Sequence, residues 1–266
     1  MPDFVYDIPQ IRLAIYFAVI PILATLAGIL IAKPILRLFF GTGPDFNQNL
    51  SFAASGFNLF YGLLLGLLTV SAYQNSETVR QAIQSEALAL SGLYADMDSY
   101  PDPIRSDMKE MLRDYLVFTI NRDWQAHREG EFLTGGSNRA DAMRQNLAGF
   151  EPQTEGQKIV HQAVIEGFRS FAEARQKRLA GVITGIPNVL WYAVLVGAVA
   201  NILLFSLLRM RPHTQFLVGS ITSFFLGVIL FVIVVLDDPL RGESGLEPTP
   251  MKLLWRTEMR WDEQRL

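Results

Sequence analysis

Four stretches of this sequence are predominantly apolar for about twenty positions each: residues 11–32, 53–73, 189–208 and 216–236. The last ends in FFLGVILFVIVVL, which carries no charged side chain. A bilayer core roughly 30 Å thick takes about 20 helical residues to cross. A buried helix of a soluble protein rarely needs so long an uncharged run. The chain is therefore read as an integral membrane protein with four spans. The first run lacks a basic start and a small-residue cleavage site, so it is read as a span and not as a cleavable leader.

The second run raises a question of its own. GLLLGLLTVSAYQNSETVRQAIQSEALAL begins greasy enough for lipid and ends with the alternation of a soluble helix. No proline or glycine interrupts it between Thr69 and Ser91. Beyond Tyr73 the apolar positions are Val79, Ile83, Ala87, Leu90, Tyr94 and Met97, at the spacings of three and four that mark one helix face. One rod on the order of 65 Å is expected, at 1.5 Å per residue.

SYPDPIR ends the rod, with Asp102 as expected N-cap and Pro103 as first helical residue of the next helix. That helix carries Ile104, Met108, Met111, Tyr115 and Phe118 on one face. EGEFLTGGSN reads as a loop, residues 139–149 as a short helix, and FEPQTEGQ as a turn with Thr154 as cap. A last polar helix presents Val160, Val164, Phe168, Phe171 and Leu179 and runs to about Thr184, before Pro187 restarts the chain into the third span. Strand signals are nearly absent. The expected fold class is an all-α membrane protein of four transmembrane helices, with a helical extramembrane domain inserted between spans two and three. The expected organisation is a first transmembrane pair at 1–73, the helical domain at 74–186, a second pair at 187–237, and an acidic turn with an amphipathic tail at 238–266.

Charge and composition exclude more than they assign. The net charge of −3 argues against nucleic acid as a partner. The absence of cysteine removes disulfides and thiolate metal sites. Lys33, Arg37, Arg209 and Arg211 flank one side of the spans, and Arg12, Arg80, Arg175, Lys177, Arg178 and Arg241 the other. Charge alone therefore leaves orientation open. No GxSxG, P-loop or dinucleotide fingerprint occurs. Asp123 and His127 fall four apart, half of a metal site, but no second ligand pair accompanies them and they read as surface residues, as do His161 and His213. Nothing implies a cofactor, and nothing supports an enzyme.

Three features bear on function. Gly62 and Gly66 are spaced to let another helix approach closely. The opposite face, at about 100° per residue, holds Phe57, Tyr61, Leu64, Leu68, Ser71 and Asn75. That face is expected either to meet lipid or to line a pore, apolar at its centre and polar at its end. In LDDPLRGESGLEPTP, after the last span, Asp237, Asp238, Glu243 and Glu247 crowd an irregular turn. This is either a solvated helix-ending turn or a site for a hard cation, with Asp237, Asp238 and Glu243 as ligands. The C-terminal MKLLWRTEMRWDEQRL, with Trp255 and Trp261, lies at the membrane interface or packs back on the helical domain.

GFNLFYGLLLGLLTVSAYQNSETVR followed by DDPLRGESGLEP resembles the bestrophin-like domain family of four-span bacterial proteins, over about residues 50–255. That family is in turn similar to the bestrophins, which are pentameric ion channels. The resemblance implies that the second span lines a pore and continues into the cytosol, with Gly62, Asn75 and Arg80 in matching places. It also implies that Asp238, Pro239, Leu240, Gly242 and Glu243 form the turn that holds calcium in animal bestrophins. The tryptophan pair after the pore helix and the dense carboxylate run of the calcium clasp are missing here. On this resemblance both termini and the helical domain face the cytoplasm of a bacterial inner-membrane protein. The expected partners are lipid, further copies of the chain in a pentamer, and small inorganic ions. The rival expectation is a membrane signalling or scaffold protein whose helical domain binds a ligand or partner.

Overall fold

The computed structural model describes residues 5–35 and 45–260. Among these residues every regular element is a helix. Helix α1 is Gln10–Ala27, followed by a π-helical turn at Gly28–Ala32; α2 is Phe46–Asp96. Then come α3 Ile104–Phe118, a π-helical turn Thr119–Asp123, α4 Trp124–Arg128 and α5 Gly135–Ala148. Helices α6 Glu155–Ile183, α7 Asn188–Leu207, α8 Pro212–Asp237 and α9 Thr249–Leu254 complete the order. Among the described residues four helical segments are long and apolar enough to cross a membrane, within Gln10–Ile35, Phe46–Ser99, Glu155–Leu207 and Pro212–Asp237. Arg37 and Trp261 lie outside the described residues.

The chain forms two compact units. One takes the described residues up to Asn75 together with Gly185–Asp237; the other takes Ser76–Thr184 and the described residues from Asp238 onward. Helix α2 contributes to both, because its 51 residues run without a break.

In the membrane unit the core holds Leu13, Tyr61, Leu65, Leu68, Trp191, Val194, Leu226, Leu230, Ile233 and Val234. The α1–α8 contact follows from two residues. Pro21 lies inside α1 and has no N–H, so the carbonyl of Phe17, four residues earlier, loses its helical partner. Gly227 of α8 faces that carbonyl, and a Cβ there would stand 1.8 Å from the Phe17 oxygen. Absence of a side chain thus lets the two backbones touch, the geometry of a Cα–H···O contact. At the far end of α7, Gln215 Nε2 donates to the carbonyls of Phe205, Ser206 and Leu208 at 3.2, 3.2 and 3.1 Å. With Lys33 Nζ, which also reaches the Leu208 carbonyl at 3.1 Å, it satisfies acceptors at a helix end in an apolar surround.

In the helical unit, Ile83, Leu90, Leu93, Met97, Met108, Leu112, Tyr115, Leu116, Met143, Leu147, Val164 and Phe171 form one core. Gly181 of α6 packs directly on Val79 of α2, where a Cβ would stand 2.4 Å from Val79 Cγ2. Thr154 caps α6 as expected, its hydroxyl accepting from Gln157 N–H at 3.1 Å, while Gln157 Oε1 accepts from Gln153 N–H at 2.7 Å. Two boundaries differ from expectation. The Asp102 carboxylate pairs with Arg105 instead of capping α3, which starts at Ile104. The expected loop through Gly135 and Gly136 is already helix. These glycines serve close packing: a Cβ on Gly135 would meet the Phe118 ring at 2.3 Å. The C-terminal segment packs back on this unit through buried Met251, Leu254 and Met259.

Candidate functional site

Within the chain α2 turns Phe57, Tyr61, Leu64 and Leu68 inward. Tyr61 and Leu68 are 6% exposed, and Phe57 and Leu64 pack against the same core. Tyr61 fixes the arrangement: its ring stacks on Phe57 at 5.7 Å, its edge fills the space over Gly197, and its hydroxyl donates to the Val194 carbonyl at 3.0 Å. Asn75 is half-buried, and Ser71 alone of the six expected pore residues is exposed. The side expected to line a pore is therefore the packed side. Gly62 and Gly66 are exposed, and a Cβ on either meets no atom within 4 Å among the described residues. The physical reason for the reversal is Tyr61, whose polar tip finds a backbone acceptor inside the helix bundle. The outward stripe carries Leu59, Leu63, Leu67, Val70 and Gln74, with Leu63 59% and Leu67 62% exposed.

The acidic turn is held by backbone and indole contacts. Asp237 accepts from Tyr6 Oη at 2.8 Å, from Ile186 N–H at 2.5 Å and from Trp191 Nε1 at 3.2 Å. Three donors on one buried carboxylate make Asp237 an anchor between Tyr6 and the entry to α7. After it, Gly242 takes a positive φ of 70° and donates to the Arg128 carbonyl at 3.1 Å. Trp124 Nε1 reaches the Leu246 carbonyl at 2.8 Å. Asp238 is half-buried and Glu243 exposed. Among the described residues no three carboxylates or histidines converge on a point where a metal ion fits.

The helical unit buries a polar cluster. Arg178 and Glu86, each fully buried, form a two-pronged pair at 2.6 and 3.2 Å. Tyr115 donates to the same Glu86 carboxylate. Arg178 Nη1 donates to His127 Nε2 at 2.8 Å, so His127 carries its proton on Nδ1, 3.2 Å from the Glu131 carbonyl. Burial and the adjacent guanidinium push His127 down to about 4, so the imidazole is neutral. Burial and the Glu86 carboxylate push the Tyr115 phenol up. For Arg178 burial acts downward, but the Glu86 carboxylate outweighs it and raises the guanidinium further. His127 and Asp123, expected at the surface, are each 1% exposed. His161 is half-buried against Tyr100 and Phe150, and His213 is exposed. Glu86 is not among the residues singled out above and Arg178 is there only a flanking basic residue, yet each interrupts an apolar helix stripe with a lone charge: Glu86 between Ile83 and Leu90, Arg178 between Phe171 and Val182.

These two units, one of spans and one of helices joined through α2, have counterparts among known structures. A bacterial Bestrophin homolog from Klebsiella pneumoniae superposes with a TM-score of 0.66 at 12% identity, covering 92% of this chain and 96% of its own. A variant of the Klebsiella pneumoniae homolog gives 0.65 at 11%, covering 95% and 99%. A structure described only as a membrane protein gives 0.69 at 12%, covering 93% and 97%. At such identities the likeness shows the fold. No curated protein matches the sequence. The Bestrophin-like domain model matches residues 22–251, nearly the whole of both units, and on that match this multi-pass membrane protein belongs to the Bestrophin-like domain family.

Proposed function

We propose that the chain is one subunit of an oligomeric ion channel, five copies around an axis, with a hydrophobic neck walled by α2. The observation that carries this reading is the uncovered stripe Leu59, Leu63, Leu67 and Val70 on a helix that continues without a break into a soluble domain. A lipid-facing stripe has no need to continue as a wet helix; a conduit does. An apolar constriction gates ions by dewetting, and Gln74 supplies a polar end to the stripe. Leu63 and Leu67 thus take the place that sequence reasoning gave to Leu64 and Leu68. Gly62 and Gly66, open in the single chain, serve as the close-packing face between neighbouring copies. Family membership supports the channel class, and the Bestrophin homologs of similar fold support it further. The proposed setting is the bacterial inner membrane, with the helical domain and both termini in the cytoplasm.

The test is current through purified protein in a planar bilayer under a salt gradient. Discrete currents are expected, altered in Leu63→Ala and Leu67→Ala, with the reversal potential giving the charge preference. Silence of wild type and both variants, with the protein folded and oligomeric, overturns the channel reading and favours the scaffold.

A further inference from the structure

The cluster around Arg178 contains a carboxylate that its neighbours do not satisfy. Asp123 is 1% exposed, yet neither carboxylate oxygen has a hydrogen-bond partner among the described residues. It ends the π-helical turn Thr119–Asp123, and such turns are frequent at functional sites. There it points at the first turn of α5, where a Cβ on Gly136 would stand 2.5 Å from Asp123 Oδ2 and 3.2 Å from Arg175 Nη2. The nearby Arg175 spends Nη2 on Ser137 Oγ of α5 at 3.1 Å, while its Nε has no partner. A buried carboxylate and a buried guanidinium thus lie close without bonding.

We propose that Asp123 is a proton-binding site of the helical domain, and that the bound proton decides whether Arg175 ties α6 to α5 or pairs with Asp123. With the carboxyl protonated, Arg175 stays on Ser137. On ionisation the O–H bond breaks, the proton goes to water, and the electron pair stays on Asp123. The new charge then draws the unpartnered Arg175 Nε–H and pulls its Nη2 off Ser137, loosening α5. The charged groups acting on Asp123 are Arg175 and Arg178 from α6, Arg139 from α5 and Glu86 from α2, and His127 of α4 is bonded to Arg178. Burial raises the carboxyl, the arginines oppose that rise, Glu86 adds to it, and the net direction is upward. A raised carboxyl means that the native state holds the proton more tightly than the unfolded chain. The stability this proton contributes is full below the ordinary Asp value of about 3.9 and is lost as pH rises through the folded value. His127 acts the other way over part of this range, because its lowered value costs stability as pH falls. The difference between wild type and Asp123→Asn cancels that contribution.

The test uses the full chain in detergent micelles, with infrared titration and unfolding followed across pH. Expected is a protonated-carboxyl carbonyl band that persists above the ordinary carboxylate range in wild type and is missing in Asp123→Asn. Wild type should lose stability on raising pH relative to the variant, by up to about tenfold in the unfolding constant per pH unit, the slope of one proton. A wild type without that band overturns the proposal even if Asp123→Asn fails to fold. So do equal pH slopes in the two proteins, or a band unchanged in the variant.

Discussion

At the scale of single residues, the helical unit depends on one ion pair. Glu86 and Arg178 are out of water, and each has several hydrogen bonds within the cluster. Such a pair adds little net stability over a well-packed apolar pair, but removing one partner strands the other. Arg178→Ala is expected to cost about 3–5 kcal/mol, seen as loss of the folded helical domain in denaturant titration. Arg178→Lys recovers little of it, since an ammonium cannot grip both Glu86 oxygens and still reach His127. His127 adds a pH dependence. Its folded value of about 4 lies below the unfolded value of about 6.5. Its contribution is therefore full above about pH 6.5 and lost as pH falls toward 4. Asparagine at position 127 keeps a polar group there without an ionisable one, and a flatter acid limb in that variant is the outcome to look for.

At the scale of elements, the helices were legible because their periodicities are long and regular. The apolar face of α2 beyond Tyr73 is the buried face in the structure, and most of the faces read for α3 and α6 join the same core, where α3 adds Leu112 and Leu116. Contacts decided by the absence of a side chain were not legible. Gly135 and Gly136 read as a loop because glycine marks turns, yet here they let Phe118 and Asp123 approach. Gly62 and Gly66 read as a face where another helix approaches, and within the chain the close approaches fall to Gly197 under Tyr61 and to Gly227 over Phe17. No spacing rule tells which glycine meets a neighbour, since the neighbour lies elsewhere in the chain. Gly227→Ala provides the check. Its methyl group collides with backbone and not with a movable side chain, so a loss of at least about 1–3 kcal/mol is expected. Gly62→Ala should leave the stability of the single chain within about 0.5 kcal/mol and act on oligomer formation instead. Thermal unfolding and size analysis of the two variants separate these effects.

At the scale of the whole molecule, the sequence already carried the class: four spans, a helical domain between the second and third, and a second span that does not stop at the membrane surface. It did not carry the rotation of that span about its own axis. Both faces of residues 57–75 are apolar enough to be buried or to meet lipid, so composition is silent, and the decision falls to a single hydroxyl on Tyr61. That rotation is the central claim, because the proposed conduit depends on which residues it turns outward. The natural chain has no cysteine, so single cysteines can be placed at 63, 64, 67 and 68 without a background. The measurement is their reaction with a charged, water-soluble thiol reagent in the assembled protein in liposomes. Labelling at 63 and 67, with 64 and 68 protected, is the predicted result. Labelling at 64 and 68 with protection at 63 and 67 contradicts the account and returns the conduit to the opposite face.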